Sequence, residues 1–210
     1  MRIGVIGGGK IGGTVARLAA QTGHEVAIAN SRGPESVEPL AAEIAHGARA
    51  ATVEEAAHFG VLILLAIPFS ALDELPADAL AGRIVVDAMN YYPNRDRNIP
   101  ELDSDELTSS ELTARHLDRS RVVKAFNTMR WTDLGEGGKP DADFDERLAM
   151  YIAGDDEDAK MSAAELVDQF GFAPLDIGNL RDGGRQLQPG SPVYGESLTL
   201  ADAKGVLAWR

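Results

Sequence analysis

Short apolar runs alternate with stretches of helical spacing along almost the whole chain. Residues 2–6 (RIGVI) read as a buried strand, and residues 13–20 (GTVARLAA) have the spacing and composition of a helix. Gly23 and His24 end that helix, and residues 25–29 form the second strand. Residues 61–67 (VLILLAI) are the most apolar run, of a length that suits a strand buried on both faces of a parallel sheet. Pro68 ends it, because proline has no N–H to donate and a fixed φ. Further strands are expected at residues 48–52, 83–88, 121–126, 148–153 and 173–177. Helices are expected at 34–47, from about Ser70, at 108–117 and 154–170, and near 200–209, with a turn or two at 53–57. Thr108 and Glu111 have capping-box spacing, and Asp155, Asp156 and Glu157 stand at a helix start, where the dipole favours acidic side chains. Residues 91–107 show no periodicity and read as loop. Residues 132–147 read as a long exposed excursion, and the tail from Gly178 to about Ser191 is rich in Gly and Pro.

This alternation predicts an α/β fold, a Rossmann-like doubly wound, mainly parallel sheet with helices on both faces and a short C-terminal helical extension. Between the first strand and first helix lie Gly7, Gly8, Gly9, Lys10, Ile11 and Gly12, a G-x-G-x-x-G. Gly7 permits the tight turn, Gly9 lets the backbone approach a pyrophosphate, and Gly12 lets helix and strand lie close together. The helix start offers free N–H groups and partial positive charge to that pyrophosphate. A dinucleotide-binding domain is therefore expected at residues 1–178, with residues 179–210 as a small extension on the acceptor side or at a dimer contact. NAD-binding versions place a carboxylate after the second strand to bind the ribose hydroxyls. Here that strand ends in Asn30, Ser31 and Arg32, which offer a hydroxyl and a permanently charged planar fork to a 2′-phosphate. The expected cofactor is NADP(H).

In such sheets ligands bind outside the carboxyl ends of the strands. Besides the glycine turn and Asn30–Arg32, this places Ala66, Ile67, Pro68 and Phe69, then Met89 and Asn90, then Asn127, Thr128 and Met129 along one edge. No catalytic constellation stands out among them. The four histidines (His24, His46, His58 and His116) are scattered and read as structural or exposed, and the carboxylates fall in solvated turns. Lys124 reads as the polar edge of a strand, and Lys10 as facing cofactor or solvent. There is no metal-ligand spacing. Reduction of an alcohol or imine normally needs a positioned proton donor. Hydride transfer between two cofactors needs little beyond apposed rings in a dry slot, which Pro68, Phe69, Asn127, Thr128 and Met129 would wall.

The 210 residues carry a net charge of −13, which disfavours nucleic acid and anionic membranes as partners. The absence of cysteine excludes disulfides and thiolate chemistry. No run approaches the length of a membrane span. The N-terminal apolar stretch is broken by glycines and reads as part of the fold, so a soluble cytoplasmic protein with small-molecule cofactors as partners is expected. Val193, Leu198, Leu200, Val206, Leu207 and Trp209 stand in a segment with little domain of its own, which suggests a homodimer.

The chain resembles the F420-dependent NADP oxidoreductases over nearly its whole length. The likeness is carried by residues 7–12 (GGGKIG), Asn30-Ser31-Arg32, 65–69 (LAIPF), 109–112 (SSEL), 122–128 (VVKAFNT), 154–156 (GDD) and 174–180 (PLDIGNL). The resemblance implies NADP bound by the glycine turn, with Ser31 and Arg32 on the 2′-phosphate. It also implies a nicotinamide near Ile67, Pro68 and Asn127, facing coenzyme F420. The reductase domain of membrane ferric reductases is similar, and there the acceptor is a flavin, which makes FMN or FAD the alternative second cofactor. A non-catalytic NADP(H) redox sensor and a reductase of a small imine or carbonyl compound remain as other classes. For the latter, the roughly thirty residues after Gly178 are too few for the helical substrate domain that imine reductases add.

Overall fold

The computed structural model describes residues 1–44 and 47–208. His46 and Trp209, both named above, lie outside the described residues. The strands are β1 (Arg2–Ile6), β2 (Glu25–Ala29), β3 (Ala48–Ala50), β4 (Leu62–Leu65), β5 (Ile84–Asp87), β6 (Arg121–Lys124), β7 (Ala149–Gly154) and β8 (Ala173–Asp176). They form one sheet in the order β3-β2-β1-β4-β5-β6-β7-β8, parallel throughout except for the antiparallel β6–β7 pair. Strand order turns around between β1 and β4, where Ile3 pairs with Leu62 and Ile6 with Leu65. This is the switch point at which a doubly wound sheet opens a crevice beyond its carboxyl ends.

Side chains along the central strands alternate between the two faces, as the pleat requires. Val5, Ile28, Leu64 and Val86 enter one core, which also takes Val15, Ala16 and Ala19 of the first helix. Ile6, Ala27, Ile63 and Val85 enter the other. A third cluster joins β7 and β8 to Leu187, Val193, Leu200 and Ala203 of the tail. Val193 and Leu200 are thus buried inside their own chain, which removes the need for a second copy to cover them.

Eleven α-helices lie among the described residues: α1 (Lys10–Gln21), α2 (Glu38–Glu43), α3 (Val53–Phe59), α4 (Ala77–Leu80), α5 (Pro93–Asp96), α6 (Pro100–Asp103), α7 (Ser109–His116), α8 (Trp131–Glu136), α9 (Glu157–Gln169), α10 (Asp182–Gln186) and α11 (Leu200–Ala208). Thr52 with Glu55 and Thr108 with Glu111 form reciprocal capping boxes that start α3 and α7. The Asp156 carboxylate accepts the Ala159 N–H at the start of α9.

Several expectations need correction. Residues 91–107 hold two single-turn helices, α5 and α6, each opened by a proline whose fixed φ and missing N–H suit a first helical turn. The supposed excursion at 132–147 contains α8, which packs on α1 and fully buries Leu134. The expected helix at 34–47 is a 3₁₀ turn (Pro34–Ser36) followed by α2, with Pro39 in the first turn of the latter. The stretch after Pro68 is 3₁₀ (Phe69–Glu74), with α4 beyond it. The Gly-rich tail includes α10.

His24 is structural, as expected. Its Nε2–H donates to Gln169 Oε1 at 2.7 Å, tying the start of β2 to the end of α9, and its Nδ1 lies 2.8 Å from the Met1 amino group. Burial pushes the imidazole below its ordinary 6.5, the Gln169 bond resists, and the amino charge adds to the lowering. A lowered folded-state value means that stability is complete above the unfolded value and declines as pH falls through it. The thermal midpoint should therefore drop from about pH 7 to about pH 5 more steeply in the wild type than in His24→Gln. Parallel midpoint–pH curves would contradict this role.

Candidate functional site

A cleft of about 730 Å³ opens at the β1–β4 switch point. Its floor is the turn between β1 and α1. Gly7 sits at φ +112° and donates its N–H to Ala29 O at 2.8 Å; a Cβ there would fall 2.3 Å from Ala66 O. A Cβ on Gly12 would fall 1.8 Å from Gly7 O, so only glycine lets α1 begin so close to β1. Gly9 differs, since a Cβ there meets nothing within 4 Å. It is the N-cap of the twelve-residue α1, has no side-chain cap, and no acidic residue follows in the first turn. The uncapped N–H groups and the dipole therefore face open space, the arrangement that receives a phosphate.

Of the residues singled out from the sequence, Gly7, Gly8, Gly9, Asn30, Ser31 and Arg32 line the cleft on one side. Ala66, Ile67 and Pro68 line it from the end of β4. The side chain of Asn30 is already engaged: its Oδ1 accepts the Arg32 N–H at 2.9 Å and the Ser36 hydroxyl at 2.6 Å, which shapes the turn. Ser31 and Arg32 project from that turn as exposed residues. The cleft is also lined by Thr52, Val53, Glu54, Ala71, Glu74, Leu75 and Pro76, which the sequence does not single out. No motif marks them, because they come from two separate segments brought together by the fold.

The other named residues lie elsewhere. Lys10 Nζ stands 5.2 Å from the centre of the Trp131 ring. Ile11 packs on the first core and Gly12 is buried. Phe69, 2 % exposed, belongs to the second core, edge-on to Tyr91 at 5.8 Å between ring centroids. Met129 is buried in the first core. Neither ring nor thioether is among the groups lining the cleft.

Asn90, Asn127 and Thr128 meet at the ends of β5 and β6. Asn90 Nδ2 donates to Asn127 O at 2.9 Å, and Asn127 Nδ2 donates to Asn90 Oδ1 at 3.0 Å and Leu187 O at 2.7 Å. Asn127 is 5 % exposed, and its Oδ1 has no hydrogen-bond partner among the described residues. The preceding Phe126 is fully buried and holds φ +63°, a costly conformation for a bulky residue. Its ring lies 6.0 Å from that of Phe170, so packing maintains the bend that brings the chain out of β6.

Beneath this corner lies a polar cluster that the sequence misrepresents. Lys124 is not at a polar edge: β6 is an interior strand, and the Lys124 side chain is 1 % exposed. Its Nζ donates to Met89 O and to Asp87 Oδ2, the latter at 3.3 Å. Asp87 Oδ1 accepts the Met89 N–H, and its Oδ2 also accepts from Ser110 and Thr113. Burial pushes the Lys124 ammonium down, against the pull of Asp87. Asp96 is a second buried carboxylate, so the carboxylates are not all solvated. Burial pushes it up, but Arg95 and the N–H groups of Tyr92 and Ser70 outweigh burial and hold it below its ordinary value.

Fold and cleft define a Rossmann-like, doubly wound α/β protein with a crevice at its switch point. Residues 2–91 match the family described as NADP oxidoreductase, coenzyme F420-dependent. Over 182 residues, 85% of the chain, it is 30% identical to the metalloreductase STEAP3 of Rattus norvegicus; the match covers 34% of that protein, so the chain spans about a third of this curated relative's length. A hypothetical protein of Sinorhizobium meliloti superposes with a TM-score of 0.81 at 28% identity over 95% of each chain. A candidate F420-dependent NADP reductase of Arthrobacter sp. FB24 superposes with a TM-score of 0.72 at 24% identity, over 100% of this chain and 91% of the other, and shows the same fold.

The contrast between the glycines has a direct consequence. Gly9→Val should leave the circular dichroism spectrum and the thermal midpoint close to those of wild type and abolish dinucleotide binding, since its side chain enters only the open space. A misfolded Gly9→Val protein would show that this glycine supports the core.

Proposed function

We propose that the chain binds NADPH in this cleft and transfers its hydride directly to a tricyclic ring acceptor, F420 first and a flavin second. The observation that carries this proposal is the convergence of three features at one sheet edge. They are an uncapped helix start over open ground at Gly9, Ser31 and Arg32 where NAD-binding sites carry a carboxylate, and a buried unpaired acceptor at Asn127. The N–H groups of the α1 start receive the pyrophosphate, and Arg32 with Ser31 receives the 2′-phosphate. Ile67 and Pro68 support the nicotinamide, and Asn127 Oδ1 accepts an N–H of its carboxamide. NADPH, when bound, supplies the hydride; the chain orients the ring and keeps water from it. The family match supports the NADP half, and the likeness to a metalloreductase supports a reductase.

Charge-assisted contacts of this kind contribute roughly 1.5–3 kcal/mol, or about ten- to a hundredfold in affinity. Arg32→Ala should weaken NADPH binding by that factor in calorimetric titration and leave NADH binding unchanged. Equal losses for both cofactors would contradict the assignment of the 2′-phosphate.

The acceptor is tested by stopped-flow oxidation of NADPH with F420, FMN and FAD offered in turn. Rapid single-turnover oxidation with a ring acceptor is expected. No oxidation by any of the three, with NADPH binding intact, would reject direct transfer to a ring.

A further inference from the structure

A pair of tyrosines separated by 102 positions in the chain meets beside the Asn90–Asn127 corner. The hydroxyls of Tyr92 and Tyr194 are hydrogen-bonded to one another, and both residues are partly exposed. Tyr92 follows Asn90 by two positions. The segment carrying Tyr194 is fastened to the corner from the other side, where the Gly195 N–H donates to Thr128 O at 2.8 Å. Arg95 completes the group: its guanidinium carbon lies 4.8 Å from the centre of the Tyr92 ring, and Nη2 donates to Asn90 O at 2.7 Å. The charge facing the pair is that of Arg95, itself neutralised in part by the buried Asp96.

Two phenols hold two hydroxyl hydrogens, and their mutual bond uses one. The second is free to point at a third atom. The net reduction of an acceptor by NADPH requires a hydride and a proton; the carboxyl groups that line the cleft, Glu54 and Glu74, are exposed and belong to other segments than the Asn90–Asn127 corner. We infer that Tyr92 and Tyr194 form a proton-donating pair for the acceptor, with Arg95 stabilising the charge that donation leaves behind. This rests on the corner at Asn90 and Asn127 being the place of hydride transfer. The C–H bond of the dihydronicotinamide breaks with its electron pair going to the acceptor, and a new bond to hydrogen forms there. A heteroatom of the acceptor takes the free hydroxyl proton; the other tyrosine passes its proton along the shared hydrogen bond, and solvent returns one to the pair. Burial first, and the bond to Tyr92 second, push the Tyr194 hydroxyl above its ordinary value, so it stays protonated until an acceptor builds up charge. The positive charge of Arg95 opposes that shift.

Tyr92→Phe, Tyr194→Phe and the double variant test this in two ways. Without any ligand, tyrosinate absorbance is followed as pH is raised. Tyr92→Phe should bring the Tyr194 ionisation down towards that of an ordinary phenol, and an unchanged titration would show that the hydroxyls are not coupled. With NADPH, the acceptors are F420, FMN and a cyclic imine, run in light and heavy water. Each single variant should lose about a hundredfold or more in the rate of reduction, with NADPH affinity unchanged. The double variant should lose no more than either single one, and the solvent isotope effect should disappear with the pair. Full activity in the variants, or an isotope effect that persists in them, overturns the proton-donating role and leaves the pair a loop tether. Tyrosine-dependent reduction of the imine alone rejects the ring acceptor and keeps the proton source. No reduction of any acceptor by the wild type overturns both.

Discussion

The closeness of β1, β4 and α1 is the constraint on which the rest depends. Gly7 and Gly12 lie where a single Cβ would overlap backbone carbonyl oxygens at 2.3 Å and 1.8 Å, respectively. Because these positions carry no side chain, the first helix starts directly over the end of the central strand, with its N–H groups exposed at Gly9. The parallel register of β1 with both β2 and β4 then brings Asn30–Arg32 and Ala66–Pro68 to the two walls of the same crevice. The helix start thereby presents its dipole and backbone donors to the crevice, and Arg32 stands exposed on the rim.

A second constraint fixes the corner at the ends of β5 and β6. Lys124 and Asp87 hold both the carbonyl and the N–H of Met89, which sets the turn that presents Asn90. Asn90 and Asn127 are bonded reciprocally, and Asn127 reaches on to Leu187 in the tail. Removing one member of a buried ion pair costs about 3–5 kcal/mol, since it leaves its partner charged and unmatched. Lys124 is therefore a positioning group beneath the corner.

The central strands and the glycine turn were legible in the sequence because they follow local rules. A strand buried on both faces must be apolar throughout, as Leu62–Leu65 is, and a turn against a strand end must lack Cβ atoms. What escaped depends on contacts between distant segments. Phe69 and Met129 follow strand ends, where local rules place ligand contacts, yet each turns into a core on one side of the sheet. Lys124 looks like an edge residue until Asp87, 37 positions away, is placed beside it. Tyr92 and Tyr194 have no shared motif, and the short helices at 93–96 and 100–103 are too brief to leave a periodic signature. Tail residues such as Val193 and Leu200 have no partner within their own segment and are covered by β7 and β8.

The most direct test of the account is a crystal structure of the chain with NADPH. It should show the pyrophosphate on the N–H groups at Gly9, the 2′-phosphate on Ser31 and Arg32, and the nicotinamide against Pro68 with its carboxamide on Asn127 Oδ1. A nicotinamide bound away from the Asn90–Asn127 corner, or a 2′-phosphate that leaves Arg32 free, would contradict it.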